Sequence, residues 1–185
     1  MKKKFLTLGF TSLILSLTMC VSCSASPQKG LNKIYDANKE NGYAKMVPDS
    51  ISNIIFSAKK ITAEIQRSHP TDTSVVSDTI CVIPSQLKEV MIYLFAHEQN
   101  FQSNDVVYGV FNSFVSFKFD TKKKQTVFLE LDFGLKKWRL LDCKKELICT
   151  ADMKDNNMQF LYFTRLLFPQ DQTLSLLYNN YNTIK

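Results

Sequence analysis

The chain has 185 residues, 45% of them hydrophobic and 22% charged, with only five Gly and five Pro. That excludes a disordered, collagen-like or low-complexity polypeptide and leaves room for one packed core rather than two. The formal charge of +6 includes Lys2, Lys3 and Lys4; subtracting those three leaves +3, a balance too even for a nucleic-acid binder.

Those lysines lead into an uncharged apolar run from Phe5 to Val21, closed by the small residues Ser22, Ser24, Ala25 and Ser26. A basic start, an apolar middle and a small-residue end make a secretory signal peptide, placed here over 1–22. At 17 residues the run is at the lower limit for a bilayer span, and Thr7, Gly9, Thr11, Ser12, Ser16 and Thr18 weaken insertion. A retained transmembrane anchor is the competing reading. Within this leader, Cys20-Val21-Ser22-Cys23 resembles the lipobox of bacterial lipoproteins, whose cysteine becomes the first mature residue and carries a diacylglyceryl thioether. Ser22 is the small residue wanted before the cut, although Cys20 stands where the family prefers Leu. With Cys20 as acceptor, Leu17 would be in place but Met19 is too large beside the cut, so Cys23 is the lipidation candidate. The resemblance implies a chain held to a bacterial membrane by acyl groups such as palmitate, on the periplasmic side or the cell surface. A signal cleaved near Ser26 without lipid is the alternative.

Residues 23–48 read as a polar tether with a short helical turn, and 49–185 as a single domain. Pro48-Asp49-Ser50 starts a helix whose stripe is Ile51, Ile54, Ile55 and Ala58. Ile61, Ala63 and Ile65 both alternate with polar residues and continue that stripe; their β-branched content favours a strand. His69 to Asp78 reads as a loop, and Thr79 to Ile83 as a short strand stopped by Pro84. Ser85 is the expected N-cap of a helix reaching about His97, with Leu87, Val90, Met91, Leu94 and Phe95 on one face.

From Asp105 to Thr150 the hydrophobic period becomes two. Strands are expected over 106–111, 113–120, 126–133, 136–143 and 146–150, giving an antiparallel meander of four to five strands with one apolar face. The Ser85 helix and a carboxyl-terminal pair must cover that face. The first of the pair, over 157–168, is apolar nearly all round; Pro169 ends it and Asp171 caps the second. The fold class is α+β in two layers. The order of elements, with Asn100-Phe101 before the meander and Phe168-Pro169 and Asp171 after the apolar helix, loosely resembles small uncharacterised domains of bacterial envelope proteins, and implies no activity.

Chemistry is sparse. Asp132-Phe133-Gly134 spells the magnesium triplet of protein kinases, but no Gly-rich loop or His-Arg-Asp loop accompanies it. Asp132 reads as an exposed strand end. His69 and His97 have no metal-ligating spacing, and the glycines form no phosphate cradle, so no metal or cofactor is expected. After processing at Cys23 an odd three cysteines remain, Cys81, Cys143 and Cys149. Cys143 and Cys149 are a candidate disulfide across a hairpin if the register brings them within bridging distance; free buried thiols are the other reading. Lysines cluster between Lys118 and Lys145 at chain reversals, where they are either simply solvated or attracted to anionic headgroups. Trp138, beside Lys136, Lys137 and Arg139, reads as core or as cation-stacked surface before a ligand platform, and with those three it is the first candidate for a partner contact. These features point to a non-catalytic envelope lipoprotein that binds a protein partner or supports an assembly, an immunity-type protein being one form. The rival class is a small envelope enzyme with a Cys/His or carboxylate site.

Overall fold

A computed structural model describes residues 46–69, 72–97, 109–153 and 156–183. In chain order the elements are α1 (Asp49–Ser57), β1 (Lys60–His69), β2 (Asp72–Val82), α2 (Ser85–Ala96), β3 (Val115–Asp120), β4 (Thr126–Asp132), β5 (Lys137–Leu141), β6 (Leu147–Asp152), α3 (Asn157–Leu167) and α4 (Gln172–Thr183). The strands form one six-stranded sheet, ordered β2-β1-β3-β4-β5-β6, with every neighbour antiparallel. The class is α+β, with two strands more at the amino-terminal edge than the meander alone supplies.

Period-two alternation sorts the side chains between two faces. Register aligns Cys81, Ala63, Phe117, Leu129, Leu140 and Cys149 across the sheet, and beside them Ile65, Val115, Leu131, Trp138 and Ala151. These rows face the helices. Most of their members are fully buried, as are Ile55 of α1, Met91, Ile92 and Phe95 of α2, Phe160 and Leu161 of α3 and Leu174 of α4. Each large side chain removed from water in this way contributes about 1.5–3 kcal/mol. α1 lies over β3 and β4, α2 meets α3, and α3 packs on α4.

The turns β3–β4 and β5–β6 share one construction. Lys124 N–H donates to Thr121 O and Thr121 N–H to Gln125 O; Lys145 N–H donates to Asp142 O and Asp142 N–H to Glu146 O. The fourth residue of each, Lys124 at φ 60° and Lys145 at φ 68°, is left-handed, as a three-residue loop closed by a bulge requires.

Several local expectations are corrected. The Ile61–Ile65 stretch is a strand, but β2 begins at Asp72, so most of the expected loop belongs to a hairpin; Thr, Ser and Val suit an edge strand as well as a turn. Of the strand expected over 106–111, residues 109–111 are not in a strand and 106–108 lie outside the described residues. Pro84, extended at ψ 146°, occupies the N-cap position of α2, which makes Ser85 its first helical residue. Asp171 does cap α4, accepting from Leu174 N–H at 2.9 Å.

Candidate functional site

The sheet face away from the helices carries a row, polar but for Ile80, that register assembles from all six strands: Ile80 and Glu64, then Ser116, Glu130, Arg139 and Thr150. Glu130 is the centre of it. Its side chain is 4% exposed, and Oε2 accepts from Arg139 Nε and Nη2, each at 2.7 Å. Oε1 accepts from Lys145 Nζ at 3.3 Å. Two cations thus surround one buried carboxylate, which offsets the cost of taking it out of water. Aromatic rings hold both cations from the other side: the Arg139 guanidinium lies 4.4 Å from the Phe111 ring centroid and the Lys145 ammonium 3.5 Å from that of Phe128.

The segment entering β3 forms the wall. Asn112 N–H donates to Asp132 Oδ2 at 2.8 Å, Phe114 N–H to Leu131 O at 2.8 Å, and Gln66 N–H to Phe114 O at 2.9 Å. Between this wall and the row lies a cleft of about 500 Å³, whose lining includes Glu64, Gln66, Ser113, Glu130, Arg139 and Lys145. Ser113, on the wall, and Ser116, in the row, are both more than nine-tenths buried, and among the described residues their hydroxyls have no hydrogen-bond partner. An unmet buried hydroxyl costs about 1–3 kcal/mol. A ligand group that reached Ser113 would recover part of that.

The other buried carboxylates are committed elsewhere. Asp132, 5% exposed rather than an exposed strand end, accepts from Gly134 and Leu135 N–H through Oδ1 and from Asn112 N–H through Oδ2. Asp152 pairs with Lys137 at 3.6 Å. A larger groove, about 820 Å³, lies between the β1–β2 edge and the α3–α4 connection. There Arg67 bridges Asp171 at 2.5 Å and donates to Thr173 Oγ1 at 3.1 Å, so one carboxylate serves both as helix cap and as ion-pair partner.

The residues singled out from sequence do not converge. Trp138 is fully buried and meets Phe95 edge-to-face at 5.1 Å, so it is a core residue and not a partner contact. Lys137 and Arg139 alternate to the opposite face, while Lys136, in the β4–β5 turn at φ 54°, lies over the Tyr181 ring at 5.4 Å. Cys143 and Cys149 are free thiols: Leu140, not Cys143, stands opposite Cys149, and Cys143 is exposed in the turn. Burial pushes the Cys149 thiol up to about 12, the reverse of what a nucleophile needs. His97 follows α2 with its ring 5.7 Å from Tyr93. No group of three metal-ligating side chains occurs among the described residues. Cys23 lies outside them. No helix among them is long and apolar enough to cross a membrane. Sequence reasoning missed Glu130, Ser113 and Ser116; the only available signal was a carboxylate in mid-strand with an arginine nine positions on, across a turn. No protein-family model, curated protein or solved structure matches the chain.

Proposed function

We propose that the chain is a bacterial envelope lipoprotein, held to its membrane through Cys23, whose folded body is a non-catalytic module that binds a protein partner at the Glu130 cleft. The observation that carries the binding reading is the contrast inside that cleft. Its carboxylate is already matched by Arg139 and Lys145, while the Ser113 hydroxyl on its wall is buried and, among the described residues, unmatched. Such a site offers hydrogen bonds to a polar partner side chain, and its central carboxylate, held by two cations, is not free to act as a base. The anchor reading rests on the leader, with its basic start, apolar run and Ser22-Cys23 junction.

Two experiments test the two halves. Cys23→Ser moves the protein from the membrane fraction to the soluble one and abolishes incorporation of labelled palmitate; unchanged membrane retention refutes the anchor. A photo-crosslinking amino acid at Gln66 or Asn112, on the rim of the cleft, gives one discrete adduct in intact cells, and the same group at the exposed Gln172 does not. Equal adducts from both places, or none from the cleft together with turnover of an envelope substrate, refute the binding module.

A further inference from the structure

One end of the sheet gathers three connections that are far apart in sequence. Lys60 faces Asp120, Asp120 faces Thr126, and Leu141 faces both Phe128 and Leu147, so the α1–β1 junction, the β3–β4 turn and the β5–β6 turn lie together. They carry Lys59, Lys60, Lys122, Lys123, Lys124 and Lys144, all exposed. Among the described residues the carboxylates of this end are Asp49, Glu89, Asp120, Asp142 and Glu146. Asp120 is engaged with Lys118 and Thr126, Asp142 with the N–H groups of Lys144 and Glu146, and Asp49 is engaged as well. Lys88 donates to Ala58 O at the same end; burial first and then Lys59 hold its ammonium below the ordinary lysine value, with Glu89 acting the other way.

The polypeptide coming from Cys23 joins the fold here. Val47 is buried, Pro48 opens α1, and Ser50 in its first turn lines a hollow of about 540 Å³ together with Asn53, Ser57, Lys59, Lys122 and Lys123. Entry point and basic end therefore coincide. We infer that this lysine-rich end docks on the anionic phospholipid headgroups of the membrane, seating the module with the α1–β1, β3–β4 and β5–β6 connections against the bilayer. The inference rests on the Cys23 anchor for its choice of surface, and on charge complementarity for its contact. A lysine close to an anionic leaflet shifts such an equilibrium about fivefold, and the effect is screened within a Debye length.

The test uses the full chain purified from membranes, with a fluorophore on the exposed Cys143 in the β5–β6 turn, mixed with vesicles of phosphatidylcholine with and without phosphatidylglycerol. Retention on pure phosphatidylcholine reads the anchor; quenching of the fluorophore by a nitroxide on the lipid headgroup reads the docking. Quenching appears with phosphatidylglycerol, disappears at high salt, and in Lys122→Gln/Lys123→Gln/Lys144→Gln the docked-to-undocked ratio falls on the order of 100-fold, fivefold per lysine. The triple Arg variant at the same positions retains it, separating charge from fold. Equal quenching with and without phosphatidylglycerol overturns the inference. So does competition by inorganic phosphate at constant ionic strength, which would mark the hollow as a site for a free anion. If phosphatidylcholine does not retain the chain, the anchor fails, and binding that still requires phosphatidylglycerol upholds the docking alone.

Discussion

Removing the two partners of the Glu130–Arg139 pair one at a time should have unequal consequences. In Arg139→Met the carboxylate stays 4% exposed with only Lys145, at 3.3 Å, for company. Breaking a buried pair this way costs about 3–5 kcal/mol, and the surviving lysine reduces that to about 2–3 kcal/mol. In Glu130→Gln the orphans are Arg139 and Lys145, whose side chains are 35% and 45% exposed and turn readily to water. Their loss is close to that of a surface pair plus one hydrogen bond, about 1 kcal/mol. The double variant leaves no buried charge and orphans only the exposed Lys145, and should cost about 1 kcal/mol in total. The coupling energy is then about 2–3 kcal/mol, well outside additivity. Trp138, the only tryptophan and fully buried, reports unfolding directly. Urea titrations of the four proteins followed by its emission give the midpoints. Arg139→Met no worse than Glu130→Gln, or additive effects in the double variant, would refute a desolvated carboxylate at the centre of this face.

Further expectations concern the core, the thiols, the cap and the turns. Trp138→Ala should cost about 3–5 kcal/mol, measured by thermal unfolding, because the void opens against Phe95. At pH 8 a thiol reagent should modify exposed Cys143 quickly and Cys149 only on unfolding. Cys149 keeps its proton in the folded state to about pH 12, against an ordinary value of 9.0, so stability is untouched by this group below pH 9 and declines as pH rises toward 12. Tyr181, whose ionisation burial also displaces upward, adds to the same decline, and Cys149→Ala should make it shallower. Asp171→Ala should cost about 1–2 kcal/mol in chemical denaturation, while Asp171→Asn keeps the cap and loses only the partly exposed Arg67 pair, about 0.5 kcal/mol. Lys124→Gly should raise the melting temperature, since it relieves a left-handed residue worth about 1 kcal/mol.

How far the sequence discloses this molecule depends on whether a feature is written locally. β3 to β6 are legible to within a few residues because Val115-Phe117-Phe119 and Val127-Leu129-Leu131 alternate without interruption. α3 is legible through its bulk and Pro169, α4 through Asp171. β2 is legible only in its second half, from Thr79; its first half is not, because an edge strand needs no continuous apolar face and its Thr, Ser and Asp serve a loop equally well. Trp138 takes the core reading rather than the partner-contact one, because the alternation that buries Leu140 buries it too, whatever its basic neighbours in sequence. The cleft is hidden for a different reason. Glu130 becomes distinctive only when register sets Ser116 on one side of it and Arg139 on the other, and when a turn folds Lys145 back over Phe128.

The placement of β1 has a kinetic consequence. Its partner on one side, β2, follows immediately, but its partner on the other is β3, fifty to sixty positions later: Ile65 waits for Val115 and Lys60 for Asp120. A lone two-stranded hairpin is marginal in water, so a chain emerging from its amino terminus exposes Ile61, Ala63 and Ile65 until β3 arrives. Closing a loop of that length before any reward is collected makes nucleation slow. Holdase chaperones should therefore engage this polypeptide early, at the first hairpin, and release it once the third strand is available to zip.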